Sequence, residues 1–459
     1  MTWFAEQRRW RGIVAAVGLA ATIGGGTWWC RRAADDSDGM QQARMQAHEM
    51  RSRWPEIHIQ HRASESTVLR PYRHPEFPGS SDRELARWEV EVVPPSLVDS
   101  TLARLARDPD VTEAFVAPQA SLPSELNEPE IRRDGDSCPI KTPEYHEHQG
   151  YLEAAPGGVD AVFAWHQGIR GAGVWFADIE GAWNTSHEDL PGSRITVLAT
   201  QMTGVSWRAH GTAVLGEVVG SDNGKGVIGI APDVERVFVS PIARTNVAEA
   251  IDRAARQLRA GDVLLIELQS TGPRGRYLPV EYWDDVYDAI RAATDRGVVV
   301  IEAAGNGGED LDNRRYDGKL SRSGRDSGAI LVGAGAPPRA GFTDRERLDF
   351  SNYGSRLDVQ GWGRKVATLD YGDLQACDGG VDRHYTGEFA GTSSASPIVA
   401  GAAILVEERA KNERGRVLPP RELRELLSRT GTPQVRENQQ PIGPRPDLAR
   451  ALHELDRTQ

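Results

Sequence analysis

The stretch Gly387-Glu388-Phe389-Ala390-Gly391-Thr392-Ser393-Ser394-Ala395-Ser396-Pro397-Ile398-Val399-Ala400-Gly401 decides how this chain is read. It is dense in small residues and runs on into an apolar helical pattern through Ala402, Ile404, Leu405 and Val406. Small side chains let another backbone approach closely. Pro397 suits a first helical turn, where its missing N–H has no partner to lose. A serine here would stand at a helix N-terminus, where free N–H groups and the helix dipole stabilise developing negative charge. Such a place suits a nucleophile, and it equally suits the start of a tightly packed core helix.

Outward from this stretch, strands that are apolar throughout alternate with helices from about residue 150. Residues 173–178, 237–240, 262–268, 297–303 and 329–332 read as strands. Residues 247–258 and 286–293, the Ser393 region, and segments near 421–429 and 446–455 read as helices. This alternation implies an α/β fold: a mainly parallel sheet covered by helices on both faces, in three layers. Ligand sites in such sheets lie at the carboxyl ends of the strands.

A serine nucleophile needs a base, and the base needs an orienting carboxylate. His210 opens His210-Gly211-Thr212-Ala213-Val214-Leu215-Gly216, another small-residue helix start. Asp178 ends an apolar strand, and Asn306 lies in Ala303-Ala304-Gly305-Asn306-Gly307 just past another. Singly, each has a plain structural reading, since Asp at strand ends and Asn-Gly pairs are common turn formers. Together, in the order Asp, His, Ser, they resemble the subtilisin-like serine peptidases (subtilases) over about 150–455. Gly391-Thr392-Ser393-Ser394-Ala395-Ser396-Pro397 is similar to the family's GTSxASP motif, and His210-Gly211-Thr212 to its histidine motif. Asp178 with His187-Glu188-Asp189-Leu190 is similar to the aspartate motif.

The resemblance implies a catalytic triad of Asp178, His210 and Ser393, with Asn306 in the oxyanion hole. It also implies that Glu267, Leu268, Gln269, Glu302, Ala304 and Gly305 line the substrate cleft. Two departures stand out: the usual Asp-Ser/Thr-Gly is here Asp178-Ile179-Glu180-Gly181, and glutamates occupy both cleft walls. On that basis Glu267 and Glu302 are expected to favour Lys or Arg before the cut bond. Nearby carboxylates are expected to hold the His210 pKa near or above its ordinary value of about 6.5. The family's structural calcium is allowed by the resemblance, but no acidic cluster has a spacing that names its ligands, and no other cofactor is implied.

The rest of the chain sets the domain plan. Arg8, Arg9 and Arg11 precede an uncharged run at 13–29, closed by Arg31 and Arg32. That run is near the length of a membrane span of about 20 residues, and residues 1–32 read as a signal peptide or signal anchor. Residues 33–60 read as a linker. Residues 61–120 carry a strand, a short amphipathic helix and a strand, an α+β unit that resembles the family's propeptide. Residues 121–149, rich in Pro and Glu, read as a linker with a processing site, and 150–459 as the catalytic domain. The partners expected are a protein or peptide substrate and the chain's own propeptide, with the membrane met only through the N-terminal segment. A net charge of -12 without a basic run beyond the N-terminus argues against nucleic acid. Cys138 and Cys377 would pair in an exported protein, and two free thiols fit the sequence equally. The expected function is an exported serine endopeptidase made as a zymogen, secreted or membrane-anchored. The alternative is a catalytically silent relative that binds peptides or a partner.

Overall fold

A computed structural model describes residues 55–62, 85–123, 139–242, 246–377, 380–436 and 440–457. The expected N-terminal run at 13–29 and the segment 124–138 lie outside them. By its internal contacts the chain divides into two units: Met1–Pro55 with Val92–Val98, and Glu56–Glu91 with Asp99–Gln459. In the first, the Val93 N–H donates to the Pro55 carbonyl at 3.0 Å.

Four strands lead the chain: β1 (Glu56–His61), β2 (Trp88–Val92), β3 (Val111–Val116) and β4 (Ala120–Ser121). The first three form a sheet of order β2-β1-β3, with the helix Val98–Leu105 between β2 and β3. The segment 56–61, expected to belong to a linker, is therefore the central strand. Ile57, His58 and Ile59 are all buried, so the strand is covered on both faces. His58 Nδ1 meets Asp285 Oδ2 at 2.6 Å, and the Trp88 indole donates to Asp288 at 2.8 Å. Burial alone would lower the His58 pKa, but the bonds to Asp285 and Glu56 outweigh it and raise it to about 9.

Strands β5 (Trp175–Glu180), β6 (Ile195–Val197), β7 (Arg236–Pro241) and β8 (Val263–Ile266) follow. After them come β9 (Gln269–Thr271), β10 (Tyr277–Pro279), β11 (Val299–Ala303), β12 (Ile330–Gly335) and β13 (Val359–Trp362). A seven-stranded sheet runs β13-β12-β11-β8-β5-β7-β6, and its recorded pairings are parallel. The last two strands, β14 (Val366–Leu369) and β15 (Tyr385–Phe389), pair antiparallel, and β10-β9-β4 form a small sheet of their own.

Side-chain alternation sorts the large sheet into two faces. Phe176, Val263, Leu265 and Ile301 pack in one core with Val214 and Val218 of the helix Val205–Val219 and with Ile398 and Leu405 of the helix Thr392–Arg414. Ala177, Ile179, Leu264, Ile266 and Val300 pack in the other, with the helices Val247–Ala255 and Asp284–Asp295. This is the expected three-layer α/β fold. Two helix starts differ from expectation. His210 and Pro397 both sit in second turns, because the two helices begin earlier, at Val205 and Thr392. Pro397 consequently removes the N–H that would have reached the Ser393 carbonyl.

Candidate active site

Ser393 stands at the start of the helix Thr392–Arg414, on the sheet face shared with the His210 helix. The residue before that helix, Gly391, has φ 125°, and a Cβ there would lie 2.1 Å from the Pro123 carbonyl oxygen. The close approach of chain 120–123 therefore requires glycine at 391.

That approach is a strand pairing. Ala120 pairs with Ser270 and Ser121 with Gln269, antiparallel. The Gln269 side-chain amide donates to the Leu122 carbonyl at 2.8 Å. One residue on, the Pro123 carbonyl oxygen accepts from Ser393 Oγ at 2.8 Å and from the Ser393 N–H at 3.4 Å. Asn306 closes the arrangement from the carboxyl end of β11. Its Oδ1 takes the Thr392 N–H at 3.0 Å and the Thr392 hydroxyl at 2.9 Å, which turns its Nδ2 the other way. That Nδ2 is buried and has no partner among the described residues. Its own N–H donates to Gln269 Oε1 at 2.8 Å.

The acid beside His210 is not the one the sequence suggested. His210 Nδ1 meets Glu180 Oε1 at 2.5 Å, both side chains fully buried. Asp178 instead takes the Trp183 indole N–H at 2.7 Å. Both acids are on one face of β5, two residues apart, so alternation cannot choose between them. Position can: Asp178 pairs in mid-sheet with Val239 and Leu265, whereas Glu180 is the last residue of the strand. A glutamate at the carboxyl end of an interior strand was the available signal. The His210 ring packs edge-on against Phe389, centroids 5.3 Å apart, and its Nε2 has no partner among the described residues.

Burial pushes the His210 pKa down to about 3, opposite in direction to the expectation. Glu180 and Asp178 are raised well above the carboxylate range, by burial first and, for Asp178, by the neighbouring Glu180. Both side chains are fully buried, which disfavours a charge on either one taken alone.

The expected cleft residues divide. Gln269 touches the 120–123 segment, and the Gly305 N–H donates to Thr392 Oγ1 at 3.2 Å. Leu268 and Ala304 are core residues. Glu267 is fully buried and bonded to Ser396 Oγ. Glu302, paired in register with Ile266, is on the sheet face away from Ser393, where its carboxylate takes the Glu281 N–H at 2.9 Å. Both glutamates are thus turned into the fold, and the expected preference for Lys or Arg loses its geometric basis.

Among the described residues no group of three or more His, Cys, Asp and Glu side chains is arranged to hold a metal ion, so a structural calcium has no ready ligand set there. None of their helices is long and apolar enough to cross a membrane. Cys377 is disulfide-bonded, and Cys138, its expected partner, lies outside the described residues.

Residues 186–444 match the Subtilase family. The chain belongs to that family, and its class is that of the subtilisin-like serine peptidases. The matched span begins after Glu180, so the strand carrying the departure lies outside it. An alkaline protease of Alkalihalobacillus alcalophilus is 30% identical over 259 residues, covering 55% of this chain and 58% of that protein. Subtilisin Savinase of Lederbergia lenta is also 30% identical over 259 residues, covering 55% of this chain and 82% of that protein. Fervidolysin from Fervidobacterium pennivorans, a keratinolytic enzyme related to subtilisin, shares the fold: TM-score 0.57 over 87% of this chain and 61% of that one, at 18% identity.

Proposed function

We propose that this chain is a serine endopeptidase, made as an exported zymogen, which uses Ser393, His210 and Glu180 and first cuts itself after Pro123. The carrying observation is the Pro123 carbonyl oxygen, held by Ser393 Oγ and the Ser393 N–H at the end of a strand paired with β9. The chain's own residues 120–123 therefore lie as the acyl side of a substrate would, with the unit that contains the β2-β1-β3 sheet acting as propeptide.

The chemistry follows from the atoms. The Ser393 hydroxyl turns from the Pro123 oxygen to the free His210 Nε2 and gives up its proton as Oγ attacks the Pro123 carbonyl carbon. Glu180, as carboxylate, accepts the Nδ1–H, fixes that tautomer and stabilises the imidazolium. The Ser393 N–H and the free Asn306 Nδ2 receive the oxyanion, where losing one donor typically costs about 10²–10³ in turnover. His210 then protonates the leaving amine, and water resolves the acyl-enzyme. Export rests on the basic-flanked run at 13–29.

Intact mass and N-terminal sequencing test the reading. The purified wild-type chain is expected to yield a fragment beginning at Ser124, and Ser393→Ala to remain uncut. A different terminus would refute Pro123. Equal full-length species for both, with no Ser393-dependent labelling by a fluorophosphonate, would favour the silent binding protein.

A further inference from the structure

The hydroxyl of Ser396, one turn beyond the nucleophile, has two oxygen neighbours and one proton. Its Oγ lies 2.7 Å from the Thr392 carbonyl oxygen and 2.5 Å from Glu267 Oε1. A carbonyl oxygen only accepts, and so does an ionised carboxylate. If Ser396 donated to Glu267, its oxygen would face the Thr392 oxygen at 2.7 Å with no proton between them. Both contacts are hydrogen bonds when Ser396 donates to Thr392 and Glu267 donates to Ser396.

The surroundings point the same way. Glu267 is fully buried, and its Oε2 has no partner among the described residues. The Glu267 N–H donates to the Ile179 carbonyl at 3.2 Å, and the β5–β8 register continues to set Glu267 beside Glu180 on one sheet face. The ionisable groups that face it are Glu180 and Asp178 from β5 and Glu217 from the His210 helix. All are fully buried, and neither oxygen of Glu217 has a partner among the described residues. Two carboxylates on one face of neighbouring chain segments, whose backbones run about 5 Å apart, cannot both ionise cheaply in a buried interior. Burial first, then these acidic neighbours, raise Glu267 well above the carboxylate range, against the Ser396 bond.

We propose that Glu267 is a positioning residue acting as a neutral carboxylic acid, which fixes the nucleophile helix through Ser396. The chain of bonds is continuous: Glu267 to Ser396, Ser396 to the Thr392 carbonyl, and the Thr392 hydroxyl to Asn306 Oδ1. A single proton on Glu267 thereby holds together the nucleophile's first turn and the residue that supplies the oxyanion donor. The role rests on the peptidase reading above, and its test has one arm that needs no turnover.

Infrared difference spectra of the purified full-length protein at neutral pH, wild type minus Glu267→Gln, should contain the carbonyl stretch of a protonated carboxylic acid. On a peptide substrate, Glu267→Ala should lower kcat roughly tenfold with KM little changed, the loss of a buried bond. Glu267→Gln, whose amide can donate to Ser396, should recover most of that loss and keep the acid limb of kcat/KM at the wild-type pH. A carboxylate band instead, an acid limb displaced to lower pH in Glu267→Gln, or a glutamine variant as slow as the alanine one would overturn the proposal. A wild-type protein that hydrolyses nothing would sink the peptidase reading alone, since the infrared band is read without it.

Discussion

Around Arg356, buried acids are matched by cations. Its guanidinium holds Glu281 at 2.6 and 3.0 Å and Asp358 at 2.8 Å, and Arg424 holds Asp326 twice at 2.8 Å. Burial would raise Glu281, but Arg356 overrides it and holds that carboxyl below its ordinary value. Around His210 the same fold buries Asp178, Glu180, Glu217 and Glu267 with no lysine or arginine paired to any of them among the described residues, and burial raises all four. The acids near the nucleophile have no such cation among the described residues, and perturbed groups of this kind mark sites that do chemistry.

The comparison can be broken at three places. The largest effect is expected at Glu180→Gln, which keeps the shape but removes the charge that selects the His210 tautomer. Loss of that role costs on the order of 10⁴ in kcat in a comparable triad, whereas Asp178→Asn, which keeps an acceptor for Trp183, should cost far less. Parallel rates for the two variants would return the catalytic role to Asp178. Next is Arg356→Met, which strands Glu281, whereas Asp358 keeps Arg322 and Arg424. Breaking a buried pair on one side costs about 3–5 kcal/mol, to be read from urea unfolding of a Ser393→Ala background, where self-digestion is absent.

The smallest effect has the opposite sign. Glu217 has no partner among the described residues, so Glu217→Gln should stabilise the fold by about 1 kcal/mol near neutral pH. The pH dependence gives a sharper check. An acid whose folded pKa is raised binds its proton more tightly in the fold, so its penalty is absent below the unfolded value of about 4.3 and grows as pH rises. The gain from Glu217→Gln should therefore shrink toward pH 4. A gain independent of pH would mean that Glu217 has a hidden cation.

Much of this could be read along the chain, and the gaps have physical reasons. Ser393, His210 and Asn306 are legible because each sits in a run of small residues, where backbones must pass closely. Glu180 was hidden by the period of the strand, which puts it on the same face as Asp178. Its partner choice depends on how far along β5 the His210 ring sits, a tertiary fact. The strand Glu56–His61 escaped because His58 looks solvent-facing until Asp285 is brought to it from 227 residues away. Glu302 was misplaced for the complementary reason: its loop neighbours belong to the cleft, but the register of β11 turns its own side chain to the far face.

The contact between Pro123 and Ser393 also sets how occupancy of the cleft scales with concentration. While the chain is continuous, residues 120–123 are tethered to the site they fill, and a short tether gives an effective concentration in the millimolar range. Diluting the protein then does nothing to empty the cleft. Once the bond after Pro123 is cut, the same segment becomes a second molecule held by its pairing with β9 and by anchors such as His58 with Asp285. From that moment release follows mass action, so a processed preparation would gain activity on dilution while an uncut one would not.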